Sequence, residues 1–175
     1  MIDRRHLLTA SLVTAASGAL VRSGAGAAAL PAVAARSGES PEVAVVEARV
    51  RRIWERFAAQ DPQGMLALIH PDATIWDVFQ PDLVTRHDME GYVQRDYAQS
   101  AARGKLTYSM ENMVTSVWGD AAICRFYLQF DYEPPNPTAG RSRNTCVLRR
   151  FPRDGWLVVH VHEGQVPAGI PPIGR

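Results

Sequence analysis

The sequence predicts an α+β domain in which one curved antiparallel sheet carries three helices, all from the N-terminal half, on its concave face. Three observations predict it. Apolar residues recur at helical spacing in three segments between positions 41 and 102. Alternating strand patterns fill almost everything from Leu106 to Glu163. The joins between those strands are rich in Gly, Asp and Pro, which suits a meander of antiparallel neighbours.

Ser40-Pro41 opens the first helix, because Ser offers an N-cap and Pro fits the first turn. Val43, Val46, Val50, Ile53, Trp54 and Phe57 then mark its buried face, while Glu47, Arg51, Arg52 and Glu55 can face water. Asp61-Pro62 repeats the signal for a short helix carrying Met65, Leu66, Leu68 and Ile69, which His70-Pro71 ends. Ala73 to Val78 reads as a strand and Gln80-Pro81-Asp82 as a loop. Asp88 to Ala102 reads as a third helix with Met89, Tyr92, Val93, Asp96 and Tyr97 along one side. Four strands follow: Leu106 to Trp118, Ala121 to Tyr132, Arg141 to Phe151 and Trp156 to Glu163.

Upstream of the domain, a short charged start precedes the apolar run Leu7 to Val21, and small residues lead to Ala32-Val33-Ala34. This is the form of an export signal over residues 1–34, cut after Ala34. Arg4-Arg5-His6-Leu7-Leu8 resembles a twin-arginine signal, with Asp3 and Leu7 departing from its usual neighbours. Residues 35–40 are a polar linker, 41–167 the domain and 168–175 a tail. The expected location is the periplasm or the outside, with the export signal as the chain's one membrane-directed segment.

The signal takes Arg4, Arg5, Arg22 and Asp3 with it, so 19 basic and 18 acidic side chains become 16 and 17. A near-neutral chain argues against nucleic acid as a partner. Cys124 and Cys146 both fall in apolar strand patterns, where they can be paired or be buried thiols.

Candidate chemistry concentrates at the end of the chain. Strand alternation puts Trp156, Val158, His160 and His162 on one face, and buried imidazoles require hydrogen-bond partners. They are either satisfied core histidines or catalytic groups in a pocket. On the preceding strand Arg143, Thr145, Val147 and Arg149 share a face. The two arginines either pair with Asp131, Glu111 or Glu163, or clamp an anion or carbonyl of a substrate. Asp77, behind Ile75-Trp76, is the carboxylate best placed for general acid or base work, against the alternative of a surface Asp opening a loop. Trp76 and Tyr92 are candidates for the pocket wall. A His-x-His pair on a strand also suits a metal, with Asp77 or Glu163 as a further ligand, but no second ligand motif accompanies it, so neither a metal nor a cofactor is expected.

The strand order, together with Arg143-x-Thr145-x-x-x-Arg149 and Gly155-Trp156-Leu-Val-Val-His160-Val-His162 up to Pro167, resembles the SnoaL-like branch of the nuclear transport factor 2-like superfamily. Gly119-Asp120-Ala121-Ala122 and the closing Trp-x-x-Val-His-x-His are also similar in form to the association domain of calcium/calmodulin-dependent protein kinase II. Where the family usually has a small residue, often Ser, two places after His-x-His, this chain has Glu163-Gly164-Gln165. The resemblance implies a cone closed by the helices, a pocket between helices and sheet, and a homodimer or larger ring formed through the outer face of the sheet. Ketosteroid isomerases, polyketide cyclases, dehydratases and non-catalytic modules share that fold, so it implies no single reaction.

Two functions are therefore expected. One is binding of a small, mostly apolar organic molecule with cofactor-independent acid/base catalysis, in which Asp77, His160 and His162 are catalytic and Arg143, Arg149, Trp76 and Tyr92 bind substrate. The other is a non-catalytic ligand-binding or assembly module.

Overall fold

The structure is a computed structural model and describes residues 36–37 and 40–166. Residues 1–34, Pro167 and the tail at 168–175 lie outside the described residues.

Local capping starts the first two helices where the sequence places them. In α1 (Pro41–Ala58) the Ser40 hydroxyl accepts a hydrogen bond from Val43 N–H at 3.2 Å, and Val43, Val46, Val50 and Phe57 are buried. In α2 (Pro62–Leu66) the Asp61 carboxylate accepts from Gly64 N–H at 2.8 Å and from Arg56 at 2.7 Å. The third helix, α3 (Met89–Arg103), buries Met89, Tyr92, Val93, Tyr97 and Ser100.

The six strands are β1 (Arg36–Ser37), β2 (Ile69–Trp76), β3 (Gly104–Trp118), β4 (Ala121–Pro135), β5 (Thr138–Phe151) and β6 (Gly155–Gln165), in the sheet order β1-β3-β4-β5-β6-β2. Strands β3 to β6 form the expected meander. Two features correct the sequence reading. β2 runs parallel to β6, so the sheet is mixed rather than wholly antiparallel. No hairpin joins these two strands; α3 and the meander intervene, and so long a connection leaves the strand direction free. β2 also begins at Ile69, four residues before the expected Ala73, because Val158 N–H donates to Leu68 O at 3.1 Å and draws this stretch out of the helix. Pro71, which has no N–H to donate, falls where the register shifts between Ile69 and Thr74. At the other edge, Arg36 and Ser37 of the expected linker pair with Val117 and Ser116.

Two bulges bend the sheet and change which residues face inward. In β3 the register shifts between Glu111 and Val114, and Asn112 adopts φ 51°. The core-facing set accordingly passes from Leu106, Tyr108 and Met110 to Met113, Thr115 and Val117. In β6, His160 lies opposite Val147 while Val158 lies opposite Leu148, so Val159 is an extra residue. The core lies between the helices and the inner face of the sheet, around Val46, Val50, Val93, Leu148 and Val158.

Candidate functional site

Between the three helices and the inner face of the sheet lies a cavity of about 100 Å³. Its wall is mostly apolar: Ile53, Trp54 and Phe57 come from α1, Met65 from α2, and Leu128 and Phe130 from β4. Polar groups converge on it from several elements, Tyr132 of β4 among them. α3 supplies Tyr92, Asp96 and Arg103, the end of β2 supplies Asp77, β5 supplies Ser142 and Asn144, and β6 supplies Glu163.

Asp77 is buried at 8% exposure and accepts two hydrogen bonds, from the Tyr92 hydroxyl and from Phe79 N–H, each 2.5 Å long. Burial pushes the Tyr92 phenol up, and the charges of Asp96, Asp77 and Glu163 push it the same way, so Tyr92 stays a protonated donor. Burial, then the charge of Asp77, raises Asp96 to about 7, with Arg103 acting in the opposite direction. Burial, then Asp77 and Asp96, raises Glu163 to about 8, against a hydrogen bond from Val78 N–H. Asp96 and Glu163 thus share one desolvated space with Asp77, and that crowding disfavours the ionised form of both. Arg103 is held over the rings of Phe79 and Tyr132 at 5.3 and 5.5 Å.

Of the residues singled out in the sequence, Asp77 and Tyr92 meet in the cavity. The others do not. The extra residue Val159 breaks the simple alternation, so Val161 and Glu163, not His160 and His162, join Trp156 and Val158 on the inner side. His160 instead bonds through Nδ1 to Thr74 Oγ1 at 2.8 Å, and His162 is exposed beside Trp76, itself 41% exposed. Arg143 and Arg149 do share a face, but it is the outer one, since Ser142, Asn144, Cys146 and Leu148 alternate with them on the buried side. Arg149 pairs there with Asp120 at 3.0 Å, and Arg143 donates to Gln165 O at 3.4 Å. Sequence reasoning thus missed Glu163, Asp96 and Asn144 as cavity groups. Asp96 carried a signal, an acidic residue on an otherwise apolar helical stripe.

Cys124 and Cys146 face each other across β4 and β5 as buried free thiols. Among the described residues no three His, Cys, Asp or Glu side chains stand in a metal-binding arrangement.

The sequence profile of the SnoaL-like domain matches residues 50–161. The chain belongs to the SnoaL-like domain family. Solved structures similar to this SnoaL-like domain share its fold. One, described as a candidate dehydratase of the NTF2-like family from Streptomyces avermitilis, is 21% identical over 73% of this chain and 97% of its own, with a TM-score of 0.62. Another, from Xanthomonas campestris and named for the association domain of calcium/calmodulin-dependent protein kinase II, is 20% identical over 81% of this chain and 94% of its own, with a TM-score of 0.58. A candidate ketosteroid isomerase from Shewanella frigidimarina is 15% identical over 67% of this chain and 92% of its own, with a TM-score of 0.57. No curated protein matches the chain significantly.

Proposed function

We propose that this SnoaL-like domain binds a small, mostly apolar organic molecule in the cavity and converts it by acid/base catalysis without a bound cofactor. The observation that carries this reading is the set Asp77, Asp96 and Glu163 in one apolar enclosure, where burial pushes Asp96 up to about 7 and Glu163 up to about 8. Groups that hold and release protons near neutral pH make the most effective general acids and bases. A substrate lying between them can give a C–H proton to one carboxylate and receive a proton from a second carboxyl group. If the proton returns to a different carbon, the result is an isomerisation. If the electron pair forms a C=C bond and a hydroxyl leaves with the donated proton as water, it is a dehydration. Tyr92 and Phe79 N–H hold the Asp77 carboxyl in place beside the other two.

The test is a turnover assay on the small molecule that copurifies with the native protein. Asp96→Asn and Glu163→Gln are each expected to slow turnover about 10²- to 10⁴-fold. If the native protein holds the molecule but consumes none, the enzyme reading is lost.

The second reading, an assembly module, is favoured by the outer face of the sheet, which exposes Val114 and Trp76. The likeness to kinase association and hub domains supports it. Export by the signal at 1–34 remains part of the proposal, and its test is whether Arg4→Lys with Arg5→Lys retains the protein in the cytoplasm. Unchanged export would remove the twin-arginine reading.

A further inference from the structure

The polar groups of the cavity also discriminate between kinds of ligand. Sharing the cavity with Glu163 are Asp77 from just past β2, Tyr92, Asp96 and Arg103 from α3, Tyr132 from β4 and Cys146 from β5, while α1 and α2 contribute only uncharged side chains. Three acids therefore stand against one cation, and that cation lies over two aromatic rings. An anionic ligand would bring its charge into a desolvated space whose Asp96 and Glu163 are already pushed towards their neutral forms.

Asn144 supplies an independent observation. It is 3% exposed, lines the cavity directly opposite Glu163 in the β5–β6 register, and donates its Nδ2 to Ser142 Oγ at 2.8 Å. Its Oδ1 is buried with no partner among the described residues. A buried carbonyl oxygen without a donor is costly, so this acceptor is short of a donor just as the site is short of positive charge. Tyr92 cannot make up the deficit, because its hydroxyl hydrogen is already given to Asp77.

We propose that the ligand of this cavity is a small apolar molecule carrying a protonated amine, whose N–H groups reach Asn144 Oδ1 and Glu163 while its apolar part lies against Trp54, Phe57 and Phe130. The inference rests on the cavity being the ligand site and adds the chemical class of what enters. An ammonium group has several donors and one positive charge, which meets both deficits at once. Binding draws the proton off Glu163, so affinity for the amine rises with pH through the range of about 7 to 8 in which Asp96 and Glu163 ionise.

The experiment titrates the full chain with benzylamine, benzyl alcohol and benzoate, three probes of similar size, followed by the NMR shifts of cavity residues at pH 8 and pH 5.5. The expected order at pH 8 is amine, then alcohol, then benzoate, with the amine about tenfold tighter than the alcohol, the equivalent of one pH unit of proton affinity. At pH 5.5 that advantage falls to about twofold or less. Glu163→Gln, and independently Asp96→Asn, reduce the preference for the amine at pH 8 while the alcohol still binds. If the alcohol or benzoate binds as tightly as the amine at pH 8, the amine inference is overturned and the cavity still stands as the ligand site. If none of the three shifts the cavity residues, both fall.

Discussion

Glu163 and Asp96 hold their protons more tightly in the fold than in an unfolded chain, at about 8 and about 7 against 4.5 and 3.8. A raised acid favours the folded state while it is protonated, so the stability it contributes is complete below the unfolded value and is lost as pH rises through the folded one. The chain should therefore be more stable at pH 6 than at pH 9, by about 1–3 kcal/mol once the partial opening of both side chains to solvent is discounted. Chemical denaturation at the two pH values measures this, and Glu163→Gln should flatten the difference. A stability that rises from pH 6 to pH 9 would contradict the site electrostatics. Tyr92→Phe is a complementary case. It leaves the buried Asp77 with Phe79 N–H as its remaining donor, at an expected cost of about 1–3 kcal/mol in the same measurement.

At the scale of the element, the bulge at Val159 decides which side chains of β6 reach the ligand. Simple alternation assigns the cavity to His160 and His162, whereas one extra residue gives it to Val161 and Glu163. His162→Ala should accordingly leave ligand affinity and turnover within about twofold. His160→Ala should do the same while lowering stability by about 0.5–1.5 kcal/mol through the lost bond to Thr74. A large loss of activity in the exposed His162→Ala variant would restore the histidines to the mechanism. The same bulge explains what could be read without the structure. Ser40 and Asp61 announced their helices because a cap is a bond to the chain's own next turn. The meander was legible because each of its strands neighbours the next. A bulge, by contrast, is a mismatch between two strands, and nothing in Trp156 to Glu163 alone marks Val159 as the residue left over. The parallel pairing of β2 with β6 was equally hidden, since it joins segments more than eighty residues apart. The site followed the same division: Asp77 and Tyr92, read from their own surroundings, do line the cavity, while the bulge displaced the β6 histidines and the β5 arginines kept their shared face, which is the outer one.

For the whole molecule, the question is what the outer face of the sheet does, since the helices and the cavity occupy the other. That face carries Val114 at 55% and Trp76 at 41% exposure, together with Arg125, Arg141, Arg143 and Arg149. Its charges are not all of one sign. Arg141 is paired with Glu111 at 2.9 Å and stacked on Tyr127 at 4.2 Å, and Arg149 is paired with Asp120. Partial neutralisation by its own acids removes much of the repulsion that would keep two such faces apart, and the exposed apolar side chains gain by leaving water. The proposal for the assembly reading is a second copy of this chain docked through that face, a two-fold contact in which one patch meets itself. Light scattering on the full chain is expected to give the mass of a dimer or larger ring. Val114→Asp, which adds a carboxylate from each copy to a self-complementary contact, should shift it to the mass of one chain. The substitution lies outside the cavity, so affinity for the small ligand should change by less than about twofold unless assembly and binding are coupled. A monomeric mass for the native protein at tens of micromolar would remove the assembly reading while leaving the acid-lined cavity and its chemistry untouched.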